Sequence, residues 1–454
     1  MNEAKPQPKR AKIFLIAIVA AIGGFMFGYD VSMISGAILF MEKYFHLTAA
    51  QKGFAMTSAG YGVLGGLLLA GPLSDSLGRR KAVFLAALLF GASAVGTALP
   101  KTMLVWNIFR IIGGVGGGIA LVVSPLYISE VSPARIRGRL VMTNQIAIVV
   151  AILAASIVAY GLAPVANQWR WMFASVLPPV LIVACCLWLI PESPRWLLQK
   201  GRVDEAERVL TSLEGPEVAR REVDAIQGSL NEETGKLSEL FMPGMRMALL
   251  VAIAVAVFQQ TTGGSTLLFY APTVFKAAGI HQNQSAIGNT IIVNCFMILF
   301  TVIAMGIVDK GGRRPLLLIG ALTMAVGQLM MGCMFLWKLP AVFVVVFVVF
   351  AIGAYTMSFG PIGWLVMAEV FPTRIRARAM ALATFMLQTG ALVASGLFPI
   401  VSEASKKRFG SEGPTFWLFA GICILAFFFC LKYVPETKGR TLEEIAASWT
   451  KKKA

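Results

Sequence analysis

Charge is scarce in this chain: only 14% of its 454 residues are Asp, Glu, Lys or Arg, where a soluble domain carries about 25%. That scarcity excludes an ordinary soluble globule, whose surface must be wetted all round. Histidine is scarcer still. The two present, His46 and His281, fall between long apolar runs, so no metal site is expected. The six cysteines, Cys185, Cys186, Cys295, Cys333, Cys423 and Cys430, all lie inside apolar runs, and no external disulfide framework is implied. No G-x-x-x-x-G-K-S/T sequence occurs, which removes the phosphate loop of an ATP-driven machine. No nucleophile–base set is recognisable, so the chain is not expected to be an enzyme.

What the chain has is hydrocarbon. Hydrophobic residues make up 57% of it and the mean hydropathy is +0.74. Apolar runs close to the ~20 residues that cross a bilayer fall at 13–40, 53–73, 81–99, 103–128, 139–162, 170–190, 246–275, 286–308, 315–336, 340–368, 377–401 and 413–434. The fold class expected is an all-α membrane protein of twelve transmembrane helices. A net charge of +17 and a pI of 9.8 could suit a nucleic acid, but the placement of the basic residues explains them differently. Lys and Arg crowd into 1–12, 79–81, 135–139, 191–246, 310–314, 374–378 and 438–453, and are sparse in the alternate loops. The positive-inside rule then puts both termini in the cytoplasm. The basic start MNEAKPQPKRAK reads as the flank of an uncleaved first span, because the run after it is too long for a signal peptide.

The chain repeats itself about its longest polar interruption, 191–245. EVSPARIRGR (130–139) and EVFPTRIRAR (369–378) agree at seven of ten positions; SDSLGRR (74–80) recurs as VDKGGRR (308–314), and PESPR (191–195) is echoed in PETKGR (435–440). Three motifs in the same order at nearly constant offset indicate duplicated halves: six helices in 1–190, linker helices on the cytoplasmic face in 191–245, six helices in 246–434, and a tail in 435–454. The linker stretch DEAERVLTSLEGPEVARREVDAI places apolar residues at helical spacing, as short amphipathic helices require. Duplicated halves without a nucleotide motif point to a secondary transporter with its site near the bilayer midplane. GGVGGG (113–118) follows no strand and sits within an apolar run, so it predicts close helix packing rather than a dinucleotide fold.

Asp30 is the one formal charge between Ile13 and Met41. At ~1.5 Å per residue it lies roughly 25 Å from the inner edge of its span, and Arg110 about 10 Å from the outer edge of the fourth. Both therefore reach the outer half of a ~30 Å core, and pairing is the usual resolution for two such charges. A second set lies at the cytoplasmic helix ends: Asp75, Arg79, Arg80, Glu130, Arg135, Arg137, Glu192 and Arg195, repeated as Asp309, Arg313, Arg314, Glu369, Arg374 and Arg376. Orientation alone needs cations but not these interspersed acids, so gating ion pairs, formed when the halves close on the inner side, are expected. A third set suits a polyhydroxylated ligand, which needs groups that both donate and accept beside an aromatic face: Gln145, Gln259, Gln260, Asn294, Gln388 and Trp364, with Phe27 nearby.

Taken together, GPLSDSLGRRK (71–81), RIIGGVGGG (110–118), PLYISE (125–130), PESPRWLL (191–198), QQTTGG (259–264), VDKGGRR (308–314), GPIGW and AEVFP (360–372) resemble the sugar porter family of the major facilitator superfamily, over essentially the whole length. The resemblance implies sugar contacts at Gln145, Gln259, Gln260 and Trp364, and a proton-coupling role for Asp30 with Arg110. It therefore implies proton-coupled symport of a monosaccharide by alternating access, with the proton as coupling ion and no other cofactor. The partners are then the sugar or polyol, the proton and the bilayer, not nucleic acid, and the functional unit is a monomer in a cell membrane. The chain also departs from the pattern. Ser76 replaces a basic residue, Ser265 and Met297 replace asparagines, Leu387 replaces a Gln or Asn beside Gln388, and Ile152 replaces a glutamine in some members. A substrate with fewer polar demands, such as a pentose, a deoxy-sugar or a cyclic polyol, stays open. So do a uniporter with a structural Asp30 and a non-transporting sensor.

Overall fold

The computed structural model of the chain describes residues 10–133, 136–230, 237–242 and 245–438. Helix is the only regular structure among the described residues. Among the described residues, twelve segments are long and apolar enough to cross a membrane: Ala21–Phe45, Ala49–Leu77, Arg79–Ala98, Met103–Val131, Met142–Leu162, Gln168–Leu189, Met245–Ala277, Asn283–Val308, Arg313–Leu336, Ala341–Glu369, Arg374–Phe409 and Gly413–Tyr433. They are numbered here as spans one to twelve. The protein is an all-α, multi-pass membrane protein.

Several helices outrun the hydropathic limits. The helix of span one covers Arg10–Phe45 and that of span eleven Thr373–Phe409, because backbone hydrogen bonding continues where hydrocarbon contact stops. Three spans are broken where the sequence predicts continuity. Span six stops at Ala174 and resumes at Leu177, just before Pro178 and Pro179, whose missing N–H groups suit a helix start. Span seven breaks between Thr261 and Gly264, with Gly263 at φ 87, a left-handed conformation that favours glycine. Span ten breaks at Ser358 (φ −128, ψ −95), ahead of Gly360 and Pro361.

Two compact units form. One comprises Met1–Ser32, Tyr61–Ala155 and Arg170–Glu233; the other comprises Met33–Gly60, Ser156–Trp169 and Thr234–Ala454. Within the first, span three packs along spans four and six; within the second, span nine packs along spans ten and twelve. Spans three, four and six of one unit thus pack in the same pattern as spans nine, ten and twelve of the other, while 33–60 and 156–169 group with the second unit rather than with the rest of 1–190. The glycines of GGVGGG serve close approach. A Cβ at Gly118 would lie 2.4 Å from the carbonyl oxygen of Val63, and one at Gly116 would lie 2.8 Å from that of Ala86. Span four is thereby seated against spans two and three backbone to backbone.

The linker folds as Pro194–Gln199, Val203–Glu214 and Pro216–Leu230. Its own small core is Trp196, Leu197, Leu198, Ala206, Leu210, Ala219 and Val223. Ser193 caps the first helix by accepting from the Trp196 N–H, which offsets a lost helical bond by about 1 kcal/mol. The expectations for residues 1–9, Arg135 and 439–454 fall outside the described residues.

Candidate functional site

Asp30 and Arg110 meet. The Arg110 Nη1 donates to Asp30 Oδ1 at 2.6 Å, with the side chains 1% and 6% exposed. Span one carries the acid and span four the base. Span one lies close to span four because Gly23 carries no side chain, a Cβ there falling 2.1 Å from the Ser124 Oγ, and Gly28 likewise lets it touch span five at the Ile148 carbonyl. Next to Asp30, the Tyr29 hydroxyl and the Ser175 Oγ of span six are 3.0 Å apart, and Ser32 Oγ donates to the Ile152 carbonyl of span five. A buried carboxylate held by one guanidinium can exist ionised while paired, or neutral once protonated. Among the described residues, Asp30 is the acid that Arg110 meets.

The gating candidates form two copies of one arrangement. In the first, Gly78 (φ 93) turns the chain into span three. Glu192 then accepts from the Arg79 N–H at 2.9 Å and the Arg80 N–H at 3.1 Å, placing a carboxylate at a helix N-terminus. The Arg79 side chain reaches Glu130 through Nε at 2.8 Å and Nη2 at 3.0 Å, the Ser74 carbonyl and, at 3.3 Å, the exposed Asp75. Ser193 Oγ donates to Glu130 as well. In the second copy, Gly312 (φ 77) turns into span nine. Glu436 accepts from the N–H groups of Arg313 and Arg314, Arg313 pairs with Glu369, and Thr437 donates to Glu369. Arg80 and Arg314 donate to the carbonyls of Ile190 and Leu431. Each pair lies inside one compact unit. Arg374 pairs with Glu239 at 3.2 Å; Arg195 and Arg137 are exposed. The Nε and Nη2 of Arg376 are buried without an acceptor among the described residues. The side chain of Asp309 lies outside the description.

Of the amide set, Gln259 (span seven) donates to the Gly360 carbonyl beside the break in span ten, at 3.1 Å. Its Oε1, like that of Gln260, is buried without a donor among the described residues. The Tyr355 ring packs against Gly264, next to Ser265. Trp364 and Gln388 are half-buried, whereas Leu387 is 4% exposed in the core of the second unit. Asn294 is 1% exposed and donates to Ser156 Oγ at 2.8 Å, so part of its amide is already spent; Met297 beside it is buried. In the first unit Gln145 is exposed, and Phe27 lies over Gly117.

A family model described as "Sugar (and other) transporter" matches residues 16–449. The chain belongs to the sugar transporter family. It is 38% identical over 449 residues to the arabinose-proton symporter of Bacillus subtilis, covering 97% of this chain and 95% of that protein. To the D-xylose-proton symporter of Escherichia coli it is 37% identical over 471 residues, covering 96% of each. Among solved structures it is similar to the partially occluded inward-open xylose transporter XylE of E. coli, with TM-score 0.85, 35% identity, and 95% and 100% of the two chains covered. For the major facilitator superfamily symporter XylE bound to 6-bromo-6-deoxy-D-glucose the TM-score is 0.77 at 35% identity, with coverage of 97% and 99%. This transporter therefore has the major facilitator fold.

Sequence reading of the transporter missed Glu436, Thr437 and Ser193 as partners of the charged turns. The signal was available in the PESPR–PETKGR echo, which aligns Glu436 with Glu192 and Thr437 with Ser193. Burial alone would push the Glu436 carboxyl up, but N–H bonds from Lys438, Arg313, Arg314 and Thr437 outweigh it and hold it below its usual range.

A second missed pair is Glu214 and Glu222 in the linker. Burial, then the charge and hydrogen bond of Glu222, push Glu214 up to about 7, with Arg137 pulling the other way. Glu222 is also raised, by burial. Folded linker with a raised carboxyl binds more protons than unfolded linker, so its stability is fullest below the usual 4.5 and declines as pH rises through about 7. Hydrogen exchange over Val203–Leu230 is expected to be slower in Glu214→Gln than in the wild type at about pH 8, and equal near pH 5. Faster exchange in the variant at the higher pH contradicts this assignment.

Proposed function

We propose that the protein is a secondary active transporter that carries a monosaccharide together with a proton by alternating access. It works as a carrier rather than an enzyme, in a cell membrane with both termini cytoplasmic, as a monomer, with the proton as coupling ion and no other cofactor. The observation that carries the reading is the buried Asp30–Arg110 pair in a chain closely similar to named sugar–proton symporters. Ionised Asp30 ties span one to span four. Protonation removes the charge that holds the tie, so the energies of two conformations change with the state of one carboxyl. The amides of Gln145, Gln259, Gln260, Asn294 and Gln388, the Ser265 hydroxyl and the rings of Phe27 and Trp364 are the proposed sugar contacts. The paired turn networks are the proposed gates. Leu387 in the core and Asn294 partly committed to Ser156 favour a sugar with few hydroxyls to satisfy, since each unmet one costs ~1–3 kcal/mol.

One observation favours a second reading. The single bond from Arg110 to Asp30 is short and buried, which also suits a permanent structural pair in a uniporter of a sugar or polyol. Reconstituted protein should separate them. Labelled D-xylose, arabinose, glucose and inositol are offered to proteoliposomes under an inward proton gradient, with and without a protonophore. Symport is expected to give accumulation of at least one sugar that collapses on protonophore addition. Equilibration unaffected by the gradient and the protonophore selects the uniporter.

A further inference from the structure

Arg79 and Arg110, both buried in the first unit, are held in opposite ways. Arg79 spends its guanidinium on oxygen: both oxygens of Glu130, the Ser74 carbonyl and Asp75. Arg110, at 1% exposure, gives Nη1 to Asp30, while its Nε has no acceptor among the described residues. What surrounds it is aromatic. The guanidinium carbon lies 5.7 Å from the ring centroid of Trp106 and 5.6 Å from that of Phe173. The two rings meet edge to face with centroids 5.4 Å apart, and both side chains are fully buried.

Trp106 lies one turn before Arg110 on span four, so the helix itself places that ring beside the guanidinium. Phe173 is brought by the first segment of span six, just before the break at Ala174. The indole N–H of Trp106 is buried with no acceptor among the described residues. Its hydrogen-bonding edge is thus unused, and the part of the residue that meets Arg110 is the ring face.

We infer that Trp106 and Phe173 are positioning residues for proton coupling: their faces hold the Arg110 charge while Asp30 is protonated. The inference rests on the symport reading above. While Asp30 is ionised, the pair is nearly neutral and the rings gain little from it. Once Asp30 takes a proton, a full positive charge stays buried without its ionised partner, and ring faces within about 6 Å attract it. The rings therefore lower the free energy of the protonated state more than that of the ionised one. Among the described residues, the unpartnered buried oxygens near this part of span four are neutral: Asn107 Oδ1 on the same helix and Ser93 Oγ on span three. Span one offers Tyr29, whose hydroxyl is shared with Ser175. Span five presents the Ile152 carbonyl, which already accepts from Ser32. The nearest basic residue of span six in sequence, Arg170, donates to the carbonyls of Ala98 and Pro100.

The test reads the carboxyl directly and needs no sugar. In purified protein in lipid nanodiscs, the infrared band of protonated carboxyl is titrated with pH, and the Asp30 component is assigned by its loss in Asp30→Asn. Trp106→Leu and Phe173→Leu are each expected to move the midpoint of that component toward acid by about half to one pH unit. Trp106→Phe, which keeps a ring of weaker face, is expected to move it less than Trp106→Leu. If Trp106→Leu does not fold, Phe173→Leu and Trp106→Phe carry the comparison. Midpoints equal to wild type, midpoints moved toward base, or an Asp30 component that does not change with pH each overturn the inference. The symport reading fails separately. It fails if Asp30→Asn still accumulates sugar uphill, even where the band midpoints follow the rings.

Discussion

Asp30→Asn is expected to abolish sugar accumulation against a gradient while leaving exchange of sugar across the membrane measurable. The substitution keeps the shape of the side chain and an oxygen for Arg110 Nη1, which Asp30 now receives at 2.6 Å. It removes the charge and the ability to gain and lose a proton. Breaking one partner from a buried ion pair costs about 3–5 kcal/mol where nothing replaces it. Here the amide oxygen and the faces of Trp106 and Phe173 replace part of it, so the protein should fold with a lowered Tm. Counterflow assays, in which labelled sugar exchanges with unlabelled sugar at equal pH on both sides, isolate the conformational cycle from its drive. The expected pattern is accumulation reduced to the equilibrium level, exchange within about tenfold of wild type, and loss of the dependence of uptake on pH. Accumulation at the wild-type level in the variant would show that the proton travels elsewhere and that Asp30 is structural.

How much of this was legible in the sequence depends on the kind of signal. Asp30 and Arg110 stood out because lone charges in hydrocarbon are costly, and helix rise alone put them at one depth. The repeated turns were legible as motifs, but their chemistry was not. Glu436 and Thr437 lie far along the chain from Arg313 and Glu369, and only the duplication links them. Trp106 and Phe173 could not be distinguished in advance from any aromatic residue of an apolar span; their meaning arises when span six is laid beside span four. The breaks at Gly263 and Ser358 escaped for a different reason. A hydropathy window averages over a turn or more of helix, so a single left-handed glycine or a local change of ψ leaves the average unchanged. Leu387 and Gln388 show the same limit at one residue. Only the packing of span eleven reveals that the leucine points into the core and the glutamine remains partly accessible.

Glu130→Gln is expected to have the largest effect on stability, and its outcome separates anchoring from gating. Arg79 and Glu130 are 4% and 5% exposed and joined through two bonds, whereas the duplicate pair Arg313–Glu369 is 14% and 23% exposed. Removing the Glu130 charge leaves Arg79, among the described residues, only the exposed Asp75 at 3.3 Å as an acid, a loss of up to about 3–5 kcal/mol; the wetter pair is partly screened. The Tm loss should therefore be several degrees larger for Glu130→Gln than for Glu369→Gln, and equal losses would contradict the burial argument. The double substitution Arg79→Met with Glu130→Met removes both charges and should recover most of the stability, since well-packed apolar residues often replace a buried pair without cost. Transport then becomes decisive. If the pair only anchors the ends of spans three and four, the double variant regains uptake along with its Tm. If the pair is part of the gate, stability returns but uptake does not, because the conformation it favours has lost its bias. The proposed gating role requires the second outcome.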